Sequence, residues 1–300
     1  MTTEPAVSIP ALDIVRDAVD PAVREALEDA TSDLGTVDPR AGLVVEEIAR
    51  LVDAGGKRIR PAFCVWGFRA GGGDAGPVER VRGPIVRVAA ALELLHTMAL
   101  IHDDLMDEAS ERRGVASTAS HLTEEAVRRG FPVDAGRFGR SGAILAGDLA
   151  AVLADRLMVR SGFSPEVLVR ALVRYHEMRI DMAAGQMLDV AGLAERPSSA
   201  LAAARLKGGS YSVEGPLLIG ATLAAADSGV TEALRAFGTP LGEAFQLRDD
   251  LLDHEGAHGA TPETVNVLVT RARAALRDAP IDPRAADALD ELARAVAVPR

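Results

Sequence analysis

Three aspartates interrupt the apolar stretch "LLHTMALIHDDLMDEASERRG" at residues 94–114. On a helix, at 100° per residue, Asp103 and Asp107 lie one turn apart on one face, with Asp104 beside them. Like charges at i, i+4 cost roughly a few tenths of a kcal/mol on a bare helix and more among apolar neighbours, so a positive partner is required. A hard divalent cation is one such partner. The same Asp-Asp-x-x-Asp spacing returns in "FQLRDDLLD" as Asp249, Asp250 and Asp253. A single acidic triplet is common on a solvated helix face. Two of them, each ending a long apolar run and each beside core-type residues (Leu105 and Met106; Leu251 and Leu252), point further. If the two helices face each other, the carboxylates line one cavity, which makes sense only with cations between them. Magnesium suits oxygen-only ligands and completes its shell with water and substrate phosphate, so a diphosphate is the expected partner.

Phosphate also calls for direct donors, and three short basic clusters stand out in a chain of net charge −11. They are "GGKRIRP" at 55–61, with Lys57, Arg58 and Arg60, "ERRG", with Arg112 and Arg113, and "LKGG", with Lys207. Arginine gives bidentate contacts and lysine a mobile point charge. Of 33 basic side chains only Lys57 and Lys207 are lysine, which marks these positions as ones that need a compact charge. Taken alone, each cluster also reads as a solvated turn. His96 lies seven residues before Asp103 and points the same way; a lone histidine on an apolar helix is more often a core residue, but the aspartate face favours a ligand contact. His102 falls on another face, and His121, His176, His254 and His258 form no usable pattern.

The elements that must position these residues read as helices almost throughout, because apolar residues recur near a period of 3.6 and strict alternation is hard to find. Helices are predicted at 11–33 (interrupted near Pro21), 41–54, 61–70, 77–107, 115–129, 140–161, 165–191, 198–207, 211–227, 230–253, 262–278 and 282–297. Glycine and proline clusters separate them, and none is long enough for a flexible linker, so one all-α domain over 1–300 is expected. With 48% hydrophobic residues the chain can bury a sizeable core. Its acidity argues against nucleic acid. Cys64, the single cysteine, sits in "AFCVWGF" and reads as a small buried hydrophobe. No export signal or membrane span is visible, which suggests a cytoplasmic protein.

Together these residues resemble the all-trans polyprenyl (isoprenyl) diphosphate synthases of the short-chain farnesyl and geranylgeranyl type. The matching pieces, in family order, are "GGKRIRP", "LELLHTMALIHDDLMDEASERRG", "LAGDLA" (145–150), "GQMLDV" (185–190), "LKGGSYSVEGPLLIGATLA" (206–224) and "FQLRDDLLD" (245–253). The resemblance implies a bundle of about ten to thirteen helices around a central cavity, usually dimeric. It implies that Lys57, Arg60, His96 and Arg113 bind isopentenyl diphosphate, and Arg58 joins them among the substrate-binding residues. Asp103, Asp107 and Asp249 would hold magnesium, about three ions, on the allylic diphosphate, with Asp104, Asp250 and Asp253 as supporting carboxylates or ligands through water. Arg112, Lys207 and Gln246 would contact that diphosphate directly. Pyrophosphate would depart from the allylic substrate, the double bond of isopentenyl diphosphate would attack the cation left behind, and a proton would be lost, all by electrostatic catalysis. Met98 and Ala99, one turn deeper than Asp103, would set product length, and a small Ala99 implies geranylgeranyl diphosphate ahead of farnesyl.

Two segments depart from the family. Gly208 stands where a threonine usually follows the lysine, and "HEGAHGATPETVNVLVT" replaces a longer lysine-bearing loop, so His254–Pro262 is expected to be a weakly held lid. Two other readings remain: a class I terpene cyclase on the same fold, and a non-catalytic partner subunit of a synthase. The "GGKRIRP" cluster, the second aspartate triplet and the low aromatic content of 3% weigh against a cyclase; two intact triplets weigh against the subunit.

Overall fold

Eleven α-helices carry the described part of the chain in the computed structural model, which describes residues 8–192, 205–252 and 261–297, less the side-chain surroundings of Pro39, Lys207, Gly208, Asp250 and Leu252. They are α1 (Pro10–Gly35), α2 (Leu43–Asp53), α3 (Ile59–Ala70), α4 (Pro84–Met106), α5 (Thr118–Arg129), α6 (Ala135–Val159), α7 (Pro165–Val190), α8 (Gly215–Leu223), α9 (Ser228–Leu252), α10 (Pro262–Ala275) and α11 (Pro283–Val296). A 3₁₀ turn (Pro39–Gly42), a π-helical segment (Arg205–Glu214) and a hairpin of β1 (Glu111–Arg112) and β2 (Val115–Ala116) complete them. The all-α expectation holds.

Several boundaries differ from the sequence reading, each for a local reason. Residues 77–83 are turns, because Gly83 at φ 88° breaks the helix just before Pro84 opens α4. Residues 115–117 belong to the hairpin, and α5 starts at Thr118 because the Ser117 hydroxyl accepts from the Ser120 N–H. Helix α6 begins five residues early because Asp134 caps it, its carboxylate accepting the Arg137 N–H at 2.6 Å. Pro21 does not interrupt α1. Of the helix expected at 198–207, residues 198–204 lie outside the described residues and 205–207 open the π segment, which also takes 211–214 from the next expected helix. The expected lid at 254–262 lies outside the described residues up to 260.

Contacts divide the chain into two compact units, residues 1–18, 58–89 and 162–300 in the first and 19–57 and 90–161 in the second. In the first unit α3 packs on α8, and nine of its residues are buried, including Cys64, Trp66 and Phe63. The Trp66 indole N–H is satisfied by the Ala11 carbonyl at 2.9 Å, as a buried indole requires. Burial pushes the Cys64 thiol up, which leaves it protonated and fits the packing role expected of it. Helix α9 packs on the π segment and on α10, with Gly242 against Gly209; a Cβ on Gly242 would stand 2.6 Å from the Gly209 carbonyl oxygen.

In the second unit α5 packs on α6 and α2 on α6. Close approach again relies on glycine, since a Cβ at Gly139 would lie 2.1 Å from Thr123 Oγ1. Helix α4 is by length and composition the one described helix that could cross a membrane, and 67% of its most apolar window is buried inside the protein, as in a core helix.

Candidate functional site

In the second unit, α4 delivers the first aspartate cluster at its C-terminal end. Glu108, at φ 52°, turns the chain, and the Ala109 N–H bonds the Asp104 carbonyl at 2.9 Å, the six-to-one bond of a Schellman cap. Asp103, with its side chain 25% exposed, and the exposed Asp107 stand on this last turn. The helix dipole places partial negative charge there, so carboxylates at that end gain from a cation.

Asp104 behaves differently from its neighbours. Its side chain is only 3% exposed, Arg112 donates to Oδ1 from Nε at 2.6 Å, and Nη2 completes the ion pair 2.5 Å from the same oxygen. The same Nη2 lies 3.6 Å from Asp103 Oδ2. Burial raises the Asp104 carboxyl above its ordinary value, opposed by the bond to Arg112 and reinforced by Asp103 and Asp107. Burial also works against the Arg112 charge, but the bond to Asp104 and the nearby Asp103 and Asp107 outweigh it and raise the guanidinium. Asp104 thus fixes Arg112 beside the more open carboxylates.

Arg112 returns onto Asp104 because of the hairpin. Arg113 and Gly114 form its two-residue loop with φ of 53° and 75°, the two left-handed residues of a type I′ turn. A non-glycine residue held in that region is a mark of functional sites. Arg113 Nη1 donates to the Gly55 carbonyl, which brings the hairpin to the start of "GGKRIRP". That loop needs its glycines, with φ of 102° at Gly55 and 154° at Gly56. Lys57 is exposed, and His96, Met98 and Ala99 on α4 are half-buried. The "LAGDLA" piece explains itself locally: a Cβ at Gly147 would fall 2.1 Å from His102 Nε2, so glycine lets the ring seat on α6 and reach the Ile144 carbonyl at 3.3 Å.

In the first unit, Arg58 opens α3 in the left-handed region at φ 54°, ψ 39°, and is 5% exposed. Arg60 is held by two residues that the sequence did not single out. Its Nη2 donates to Ser212 Oγ at 2.6 Å, and its guanidinium lies 4.5 Å from the centre of the Tyr211 ring. Ser210 adds a bond to Asp181 at 3.0 Å. These partners come from the π segment, which also carries Lys207; the one hint in sequence was a tyrosine in a chain with two. Such segments are rare and concentrate at functional sites. Gln246 and Asp249, one turn apart on α9, are half-buried. The side chain of Asp250 and all of Asp253 lie outside the described residues.

The donors fit a hard divalent cation, being carboxylate oxygens only. Among the described residues no three His, Cys, Asp or Glu side chains are grouped as a ready-made metal cage. An ion on Asp103 and Asp107 would draw its remaining ligands from water and phosphate, the habit of magnesium.

The polyprenyl synthetase family matches the chain over residues 43–264. The short chain isoprenyl diphosphate synthase of Methanothermobacter thermautotrophicus is 33% identical over 250 residues, covering 81% of this chain and 66% of that protein. Farnesyl diphosphate synthase of Geobacillus stearothermophilus is 36% identical over 222 residues, covering 70% of this chain and 66% of that protein. The chain thus spans 66% of the length of each of these two curated relatives. A crystal structure of geranylgeranyl pyrophosphate synthase from Corynebacterium glutamicum, complexed with isoprenyl diphosphate and magnesium, matches with a TM-score of 0.88 at 25% identity, covering 96% of this chain and 99% of that one. The chain belongs to the polyprenyl synthetase family.

Proposed function

We propose that the chain is a magnesium-dependent prenyltransferase that condenses isopentenyl diphosphate with an allylic diphosphate, with geranylgeranyl diphosphate as main product. The observation that carries this reading is the end of α4, where the half-buried Asp103 and the exposed Asp107 stand on one turn while Asp104 ties Arg112 beside them. Magnesium, when bound, neutralises the charge that develops on the departing pyrophosphate. Asp103, Asp107 and Asp249 hold it, with Asp250 and Asp253 in support. Arg112, Lys207 and Gln246 hold the allylic diphosphate; Lys57, Arg60, His96 and Arg113 hold isopentenyl diphosphate, with Arg58 among the substrate-binding residues. Fixed charges around a leaving group stabilise the transition state without reorganisation. Incubation of the purified protein with dimethylallyl diphosphate, isopentenyl diphosphate and magnesium tests the reading. Elongated prenyl diphosphates support it, cyclic hydrocarbon points to the cyclase, and no product points to the partner subunit.

Product length tests the role of Ala99. It lies about 6 Å deeper along α4 than Asp103, and the relatives named above include synthases of both farnesyl and geranylgeranyl products. Ala99→Phe should shorten the dominant product by at least one isoprene unit, read by chromatography of the dephosphorylated alcohols. An unchanged profile places the floor elsewhere.

A homodimer is supported by α6, where Leu145, Val152 and Val159 recur every seventh residue and are 59%, 59% and 64% exposed. Residues at that spacing form one stripe, which a second copy would cover. Val152→Glu should therefore shift the protein from dimer to monomer in light scattering at micromolar concentration; an unaltered mass rejects this face.

A further inference from the structure

The hairpin that carries Arg112 and Arg113 has only two residues in each strand, too few to hold itself in water. Its pairs are Arg112 with Val115 and Glu111 with Ala116, and the Ser117 N–H bonds the Ser110 carbonyl at 2.9 Å. In that alternation Glu111 and Ala116 form the pair without mutual bonds, so the Ala116 carbonyl points out of the ladder and needs a donor elsewhere.

Helix α2 supplies it. Arg50 Nη1 donates to the Ala116 carbonyl at 2.8 Å. The other side of the same guanidinium is fixed on Glu47, with Nη2 at 2.7 Å and Nε at 3.1 Å from Oε2. Glu47 is 2% exposed, and its Oε1 also takes His121 Nδ1 at 2.5 Å, from the helix that follows the hairpin. The loop after α2 takes the third tie, from Arg113 to the Gly55 carbonyl. Arg50 is thus a planar fork spent on a buried carboxylate with one further donor aimed at the hairpin, a geometry that lysine cannot copy.

We propose that Glu47 and Arg50 are positioning residues for diphosphate binding, which hold the hairpin so that Arg112 and Arg113 face the substrates. This rests on the prenyltransferase reading. Neither residue touches substrate; Arg50 acts through the Ala116 carbonyl, and Glu47 through Arg50 and His121.

The test compares the unmodified protein with Arg50→Ala, Arg50→Lys and Glu47→Gln in three measurements: steady-state kinetics, binding of inorganic pyrophosphate with magnesium, and amide exchange over residues 110–117. Arg50→Ala should raise the KM for isopentenyl diphosphate by about ten- to a hundredfold, the usual effect of a displaced binding group, with a much smaller change in kcat. Added guanidinium ion should lower that KM again, and Arg50→Lys should fail to restore it. Exchange over 110–117 should quicken in both arginine variants and in Glu47→Gln, and these two milder variants carry the test if the alanine variant does not fold. Unchanged KM and pyrophosphate affinity, whether or not exchange quickens, would overturn the proposal. If the unmodified chain binds pyrophosphate but makes no product, the prenyltransferase reading fails, while weaker pyrophosphate binding by Arg50→Ala still upholds the positioning role.

Discussion

Asp103→Ala, and separately Asp249→Ala, is expected to lower the condensation rate by about two to three orders of magnitude, the loss seen when one preorganised charge partner is removed. Asp103 stands half-buried on the final turn of α4, at the end of the helix dipole that disfavours carboxylates, so it gains most from a cation. Chelation should abolish turnover and magnesium should restore it. Asp104→Asn is expected to cost far less, about tenfold, because an asparagine oxygen can still accept from Arg112 where Asp104 now does at 2.6 Å. Initial rates at saturating substrate, with circular dichroism to confirm folding, provide the check. More than about a tenth of the activity retained in Asp103→Ala, a loss below 1.4 kcal/mol, would sink the metal-ligand assignment. Equal losses at 103 and 104 would show that the division of labour drawn from their burial is wrong.

The division between those two aspartates marks where the sequence stops being readable. Periodicity places Asp103 and Asp107 on one helix face, because that depends only on local geometry. What Asp104 binds depends on the chain turning back eight residues later, through a left-handed Glu108 and a two-residue hairpin loop led by a left-handed arginine. Neither residue type announces that conformation, and residues 115–117 read as helix for the same reason. Glu47, Arg50 and His121 were equally hidden. A histidine and a glutamate 74 positions apart carry no shared pattern, and only folding brings them to 2.5 Å.

The helical class was legible because most helices bury one apolar stripe, as α1 does with Val15, Val19, Val23 and Leu27. The π segment was not. Its residues "RLKGGSYSVE" carry no local signal for a π-helix, and the contacts they make are tertiary: Gly209 pressed against Gly242 and Ser210 bonded to Asp181. The basic residue types were likewise readable without their settings. The two arginines of "GGKRIRP" look equivalent in sequence, yet Arg60 is stacked on Tyr211 and Arg58 is 5% exposed.

The contact of α3 with α8 should be the most sensitive packing in the first unit. A Cβ at Gly220 would stand 2.0 Å from the Cys64 carbonyl oxygen and 2.7 Å from the Phe68 nitrogen, and one at Gly67 would stand 2.2 Å from the Leu217 carbonyl oxygen. All of these neighbours are backbone atoms, so no side-chain rotation relieves the clash and the helices themselves must part. Helix α3 is nearly all buried, with Trp66 and Phe63 about 1% exposed, and separating it opens voids along its whole length. Gly220→Ala is therefore expected to cost about 3 kcal/mol or more, at the upper end of overpacking penalties. At roughly 2–4 °C per kcal/mol for a domain of this order, the midpoint should fall by about 6–12 °C. Gly42→Ala is the matched comparison: it sits at φ −62°, ψ −21° with nothing within 4 Å of its Cβ, and alanine there should gain about 0.4–1 kcal/mol by restricting the unfolded chain. Thermal melts of the two variants beside the unmodified protein decide the matter, and a Gly220→Ala midpoint within about 2 °C of the unmodified protein would show that the close approach of α3 and α8 is not essential to the fold.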